Sequence, residues 1–492
     1  MEHDMSRGVS RPDMKHQDNH QSMMMDPRQK MEMLKKHHMQ TLWIYWLVIL
    51  LGFWVLLSPL TLDYGKNPAE PGGGREVWLS LEARILAMKW SDMISGFLLI
   101  IFGWRSLTPN RPVSVWICCF TGIWLSFAPL IFWSPSATAY LNDTMAGALV
   151  IGLTVLIPDM PNMMTYMEPG PESPPGWSYN PSGWPQRWIM IVLGFFGWVV
   201  SRYLAAFQLG YIDTAWDPFF GEGTENVLNS AMSHSMPISD AGLGALAYTL
   251  EFLMGWMGGT DRWRTMPWMV TIFGILVIPL GLVHIFLVIS QPLTVGYWCT
   301  FCLLAAAIML PMIPLEADEV IAMIQFMILG KRKGEPFWKL FWKGGTVDGG
   351  SKDERSPMLI EFPQNKRKIF QASIWGMSFP GTLVISMLIG IWLMLSPDVY
   401  GAEIKTPAAN INHLCGALIV VVSVISMGEV LRTGRYLNIP LGLAVGAGIW
   451  FADNTTPALG ISSLVAGVLV ILLAVFRGSK TESYAGWDKH VR

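Results

Sequence analysis

The sequence predicts an all-α polytopic membrane protein with about twelve spanning helices, and three observations lead there. Charged residues make up only 14% of the 492, about half the share in an ordinary soluble protein. Mean hydropathy is +0.39. The apolar residues fall in blocks such as "TLWIYWLVILLGFWVLLSPLTL" and "GTLVISMLIGIWLMLSP", each long enough to cross a hydrocarbon layer of about 30 Å. A single open sheet is excluded, because its edges cannot satisfy their backbone groups in lipid. The net charge of −2 carries no information about nucleic acid, and no such partner is expected. Five cysteines are too few for a disulfide scaffold, so each needs its own reading.

Residues 1–40 are polar and read as a disordered cytoplasmic tail without a cleavable signal peptide. Residues 1–39 hold nine Met and five His. Met and His together bind Cu(I), but no tight spacing defines a site. Spans are expected near 41–62, 91–108, 112–133, 141–160, 186–208, 239–258, 266–290, 297–314, 378–397, 409–429, 437–452 and 460–477. Lys and Arg concentrate in alternate loops: Arg105 and Arg111, Arg262 and Arg264, Lys331 to Lys333 with Lys366 to Lys368, and Arg432 with Arg435. Loop 209–238 instead carries Asp213, Asp217, Glu222 and Glu225. By the positive-inside rule both termini face the cytoplasm and the acidic loop faces outward.

An internal repeat frames the chain, at 41–160 and 378–477. It reads "GFWVLLSP" from Gly52, "GIWLSFAP" from Gly122 and "GIWLMLSP" from Gly390, with a degraded copy, "GIWFADNT", from Gly448. Each is followed by a helix with a polar pair and a glycine: Ser91-Asp92 with Gly96, Asn142-Asp143 with Gly147, Asn412-His413 with Gly416, Ser462-Ser463 with Gly467. The glycines suit close helix approach in lipid, the Trp a headgroup anchor, and Ser-Pro a helix end. Asp92 and Asp143 read as interfacial helix N-caps, with a proton or ion carrier as the alternative. The pattern resembles the SPW-repeat membrane family, which implies four helix pairs and no known chemistry.

The middle, 184–328, is a four-helix segment without the repeat. A Pro-rich linker (161–183) precedes it and a basic, Gly-rich segment (329–377) follows, which reads as a flexible cytoplasmic connector before the second repeat pair; 478–492 is a cytoplasmic tail. Cys299 and Cys302 stand three apart at the outward mouth of the last helix of this segment. That spacing puts both on one face of a first turn, where unpaired N–H groups stabilise a thiolate. A closed zinc site needs four ligands, and no second pair accompanies this one, so no metal is expected. A buried structural pair is the other reading. The adjacent Cys118 and Cys119 read as small apolar filler, and Cys415 carries no assignable role.

"SDAGLGALAYTLE" from Ser239, "RWRTMPWM" from Arg262 and "VGYWCTFCLLAAAIMLPMIPLEADEVIAM" from Val295 together resemble the vitamin K epoxide reductase family. The resemblance implies a membrane four-helix bundle passing electrons between protein thiols and a quinone, ubiquinone or menaquinone. It implies that Cys302 lies next to the quinone, that Cys299 is its disulfide partner, and that Ser230 and Asp240 line the quinone site. The family's two relay cysteines in the first outer loop are Trp216 and Thr224 here, and a tyrosine common one turn after the second cysteine is Ala306.

The expected function is therefore a membrane thiol–quinone oxidoreductase, in a bacterial inner membrane on the strength of the resemblance. An outward thiol, protein or small molecule, attacks the more exposed Cys299. Cys302 leaves as a thiolate favoured by the helix N-terminus and passes electrons to the quinone, and Cys299 restores the disulfide. Ser230 donates a hydrogen bond to a quinone oxygen, or Asp240 does so if protonated. The alternative is a non-enzymatic scaffold or transporter with a degenerate reductase module, which loss of the loop cysteines favours.

Overall fold

The computed structural model describes residues 27–157, 170–358, 365–402, 406–448 and 456–491. Every regular element among them is helical, and ten helices are long and apolar enough to cross a membrane. Two expected spans fall short of that length. Asp240–Trp256 has 17 residues, and Asn438–Gly448 has 11 and stops at the edge of the described residues. Most of the Met/His-rich tail, with its copper reading, lies outside the described residues, but helix begins at Pro27, before the expected end of disorder at residue 40.

In the first flank, α1 (Pro27–Thr61) packs on α2 (Leu81–Ser106), and α3 (Pro112–Ile131) on α4 (Ala137–Ile151). Ser80 and Ser136 cap α2 and α4 by accepting from Ala83 N and Ala139 N. Asp92 and Asp143 are therefore not the caps their positions predict. They lie well inside these helices and are fully buried.

The middle contains α5 (Trp184–Gln208), the short α6 (Gly223–Leu228) and α7 (Ala231–His234), α8 (Asp240–Trp256), the short α9 (Arg262–Thr265), α10 (Pro267–Val277), α11 (Pro279–Thr294) and α12 (Thr300–Arg332). α10 and α11 form one span broken at Ile278, since Pro279 cannot supply a helical N–H. α12 is the axis of the bundle and packs on α5, α10 and α11. At 1.5 Å per residue it is about 50 Å long and outruns the predicted span. Hydropathy stops at Glu316, but the helix does not, because its neighbours bury Glu316, Asp318 and Glu319. Arg262 donates to both oxygens of Glu319 at 2.6 Å, so a cation expected in an exposed loop is buried.

The connectors are folded where composition predicts flexibility. α13 (Phe337–Lys343) packs on α10 and α12, and α14 (Lys366–Ser373) on α5. Gly345 N donates to Arg264 O at 3.1 Å, and Ser173 bridges to Ser351. Arg355 pairs with Glu482. The segment 480–491 closes the same surface: Thr481 N reaches Glu429 Oε1 at 2.7 Å, and Tyr484 OH reaches Glu429 Oε2 at 3.0 Å.

In the second flank, α15 (Gly381–Val399) packs on α16 (Pro407–Ile425), and α17 (Asn438–Gly448) on α18 (Pro457–Val475). A Cβ at Gly96 would stand 2.6 Å from Gly52 O, one at Gly416 2.6 Å from Gly390 O, and one at Gly467 2.5 Å from Gly442 O. The fourth repeat contact therefore uses Gly442, not the Gly448 of the expected motif. The third polar pair also shifts register. Asn412 holds the place of Asp92, and His413 turns to the middle module, where its Nε2 lies 3.0 Å from Ile289 O.

Candidate functional site

α12 starts at a turn that Cys299 itself closes. Cys299 is extended (φ −113°, ψ 116°), and its Sγ accepts from Cys302 N at 3.1 Å. Cys299 and Cys302 are joined as a disulfide, with Cα atoms 5.2 Å apart. The three-residue spacing brings both sulfurs together, but Cys299 is the cap rather than a member of the first turn. The helix end therefore supports the Cys299 sulfur, not that of Cys302 as expected.

Exposure also departs from expectation. Cys299 is 0% exposed and Cys302 8%, because the acidic loop folds over the pair. Asp217 anchors that fold. Its Oδ1 accepts from Phe219 N at 3.1 Å, Phe220 N at 2.9 Å and the Thr300 hydroxyl, and its Oδ2 accepts from Thr300 N at 3.1 Å and Thr224 Oγ1 at 2.6 Å. Burial pushes the Asp217 carboxyl up, but these hydrogen bonds prevail and hold it well below the usual carboxylate range. Thr224 Oγ1 ends 3.5 Å from Cys299 Sγ. Phe220 stacks over Trp298, while Trp216 and Phe219 stand out toward lipid or solvent. One aligned relay position, Thr224, thus touches the pair, and the other, Trp216, does not.

Below the disulfide lies an apolar cluster that includes Cys299, Cys302, Leu204, Val288 and Ala305, with Ala241 and Ala306 against it. Ser230 and Asp240 stand next to cluster members, at the starts of α7 and α8. Ser230 caps α7, accepting from Ser233 N at 3.3 Å, and its Oγ donates to Val227 O at 2.7 Å. Asp240 Oδ1 accepts from Ser233 Oγ at 3.1 Å, from Ala241 N at 3.0 Å and from Gln208 Nε2. Asp240 is thus surrounded by donors, which runs against the donor role expected for it. Gln208, Ser233 and Arg75 belong to this network and were not legible in the sequence. Arg75, from the loop between α1 and α2, donates to Ser233 O across 158 positions, and no local pattern marks such a contact. Gln208 carried one signal, a polar residue ending an apolar span.

Fold and site together define a class: a helical membrane protein whose central helix opens on a disulfide-forming pair. Within that class, residues 188–317 match the vitamin K epoxide reductase family, and residues 42–157 and 382–477 match the SPW repeat domain. The first match contains the cysteine pair, Ser230 and Asp240, and the other two cover the flanks. It is the layout the sequence resemblance implies, and it supports a membrane oxidoreductase. Comparison with curated proteins and with solved structures returns no match.

Proposed function

We propose that the protein is a membrane thiol–quinone oxidoreductase in which Cys299 and Cys302 cycle between disulfide and dithiol. The observation that carries this reading is the joined pair at the mouth of α12, inside the segment similar to the reductase family. The surroundings of Cys302 fit a lipophilic quinone: apolar and small at Ala241, Ala305 and Ala306, polar at the rim through Ser230 and Asp240. When bound, ubiquinone or menaquinone supplies a two-electron acceptor.

An outward dithiol, protein or small molecule, attacks Cys299 and breaks its bond to Cys302, which leaves as a thiolate. The donor's second thiol then releases Cys299. Access to Cys299 requires that Thr224 swing away, so Asp217 sets how often the pair is reached. As electrons leave, Cys299 closes the bond to Cys302. Its thiolate is stabilised by the Cys302 N–H. In this reading the pair faces outward from a bacterial inner membrane and both termini are cytoplasmic.

The test is the redox state of the pair in membranes, read by alkylation and mass spectrometry. Dithiol should reduce it and added quinone reoxidise it. Cys302→Ser, given the donor in its disulfide form, should hold it at Cys299 as a mixed disulfide, with the donor's other sulfur leaving as a thiol. Thr224→Cys should form a bond to Cys299 and quicken exchange with a dithiol protein. A pair inert to both dithiol and quinone leaves the scaffold or transporter reading, which Thr224 at a relay position favours.

A further inference from the structure

The thiol–quinone chemistry leaves one set of buried groups unused. Glu251 on α8 is 1% exposed, and neither carboxyl oxygen has a hydrogen-bond partner among the described residues. Glu316 on α12 is 2% exposed, with Oε1 unpartnered among the described residues. An ionisable side chain kept without a partner inside a membrane bundle is costly, and such groups mark proton or ion pathways.

These two are not isolated. Glu316 lies within electrostatic range of Glu319, Arg262, Glu251 and Asp318. Arg262 is fixed on Glu319, and Arg187 donates to Gly255 O at 2.9 Å and Gly258 O at 2.8 Å, so a charged belt closes the end of α8 away from the cysteines. In the other direction, Tyr248 stands three residues before Glu251, on the same helix face. Its hydroxyl donates to Ala305 O at 3.0 Å, one turn below Cys302. The His284 ring stands edge-on to the Tyr248 ring at 6.5 Å, within electrostatic range of Asp240. Along α8, Asp240, Tyr248 and Glu251 lie about 0, 12 and 16 Å from the helix start at 1.5 Å per residue. Titratable groups therefore step from the belt to the floor of the redox site on one face of one bundle.

Resting on the thiol–quinone reading, we infer that the protons taken up in quinone reduction enter from the side opposite the cysteine pair, through Glu316, Glu251, Tyr248 and His284. The balance is complete. Two thiols become a disulfide and release two protons and two electrons on the pair's side. The quinone takes those two electrons, and two protons from the opposite side, to become a quinol. Each turnover then moves charge across the membrane. The Glu251 carboxyl is the relay's central station. Glu316 from α12 and Tyr248 from α8 lie within electrostatic range of it, and Arg187 from α5, Arg262 from α9 and Glu319 from α12 form the belt beyond Glu316.

The test uses the full chain in liposomes with the pair outward, an external membrane-impermeant dithiol, quinone in the bilayer and a pH dye inside. The expected result is internal alkalinisation of two protons per quinol formed. Glu251→Gln should slow quinol formation by about 100-fold, the span typical of a lost proton donor, and Glu251→Asp should recover part of it. A hydrophobic carbodiimide, which reacts with protonated buried carboxyls, should label Glu251 in the protein without quinone or dithiol and should not label that position in Glu251→Gln. Quinol formed by the wild type with no internal alkalinisation overturns the inference and leaves the thiol–quinone reading intact. No quinol from the wild type overturns both. The wild-type measurement decides even if a variant fails to fold.

Discussion

The two flanks share a scaffold but differ in the layer that fills it. In both, glycines bring paired helices to backbone contact, and a Trp donates across to the partner repeat: Trp54 to Asn142 at 2.7 Å, Trp124 to Ser91 at 3.0 Å, Trp392 to Ser462 at 3.0 Å. Four residues before the glycine, the layers part. The first flank places Asp92 and Asp143 there, fully buried, with Asp92 Oδ1 and Asp143 Oδ2 lacking a hydrogen bond among the described residues. The second places Asn412 and Ser463, bonded to each other at 2.8 Å, with Asn412 also bonded to Ser396 at 3.3 Å. Packing therefore does not need the carboxyls. They are an addition to a fold that works without them.

The largest expected effect tests the shared part. Gly416→Leu drives side-chain atoms into Gly390 O, and Gly147→Leu into Gly122 O; each should cost on the order of 3 kcal/mol. Thermal unfolding in detergent should show equal losses in the two flanks, with Gly381→Ala, whose Cβ would meet nothing within 4 Å, unchanged. Unequal losses would mean that the repeats are not energetically alike.

The second test exchanges the layers. Asp92→Asn with Asp143→Ser copies the second flank into the first and should be neutral or stabilising, because two buried carboxyls, each with an oxygen lacking a hydrogen bond among the described residues, give way to a mutually bonded pair. The reverse exchange, Asn412→Asp with Ser463→Asp, should destabilise. A destabilised first exchange would show that the carboxyls hold the first flank together.

The smallest effects are single hydrogen bonds. Trp124→Phe and Trp392→Phe should each cost about 0.5–1.5 kcal/mol, alike in both flanks. Outside the membrane, Asp217 supplies a pH test. Its carboxyl is held below the unfolded value, so its contribution to the loop is present at neutral pH and is lost only as pH falls through the depressed value. Hydrogen exchange at the Phe220 amide should stay slow down to about pH 4, where free carboxylates protonate, and Asp217→Asn should speed it at neutral pH.

Much of this was readable because the signals are local. The cysteine spacing, three copies of the glycine–tryptophan repeat and ten of the apolar blocks each sit within a few turns of helix and lie where the pattern predicts. The rest depends on what packs alongside. Gly442 makes the fourth contact although Gly448 carries the better motif, a one-face choice that a neighbouring helix makes; Asn412, by contrast, stands four residues before Gly416 as Asp92 does before Gly96, so its place was legible in the spacing. The buried belt was visible as "PLEADEV" but read as the polar end of a span, since nothing local says that Arg262 will meet Glu319. Burial of Cys299 depends on a loop 75 positions earlier.

The floor beneath the central bundle has a further consequence for how the chain is made. Ser483 N donates to Ser178 Oγ at 2.9 Å across 305 positions, and Tyr484 packs on Trp177 at 4.9 Å. Translation runs at about 5–20 residues per second, so Ser178 waits on the order of tens of seconds for that partner after it is synthesised. During that wait Tyr179 and its bond to Asp318 lack the cover that Tyr484 later supplies. A ribosome that stalls before residue 480 therefore leaves a chain whose spans can all be inserted but whose membrane-proximal floor is open. A protease cut before that residue leaves the same floor open.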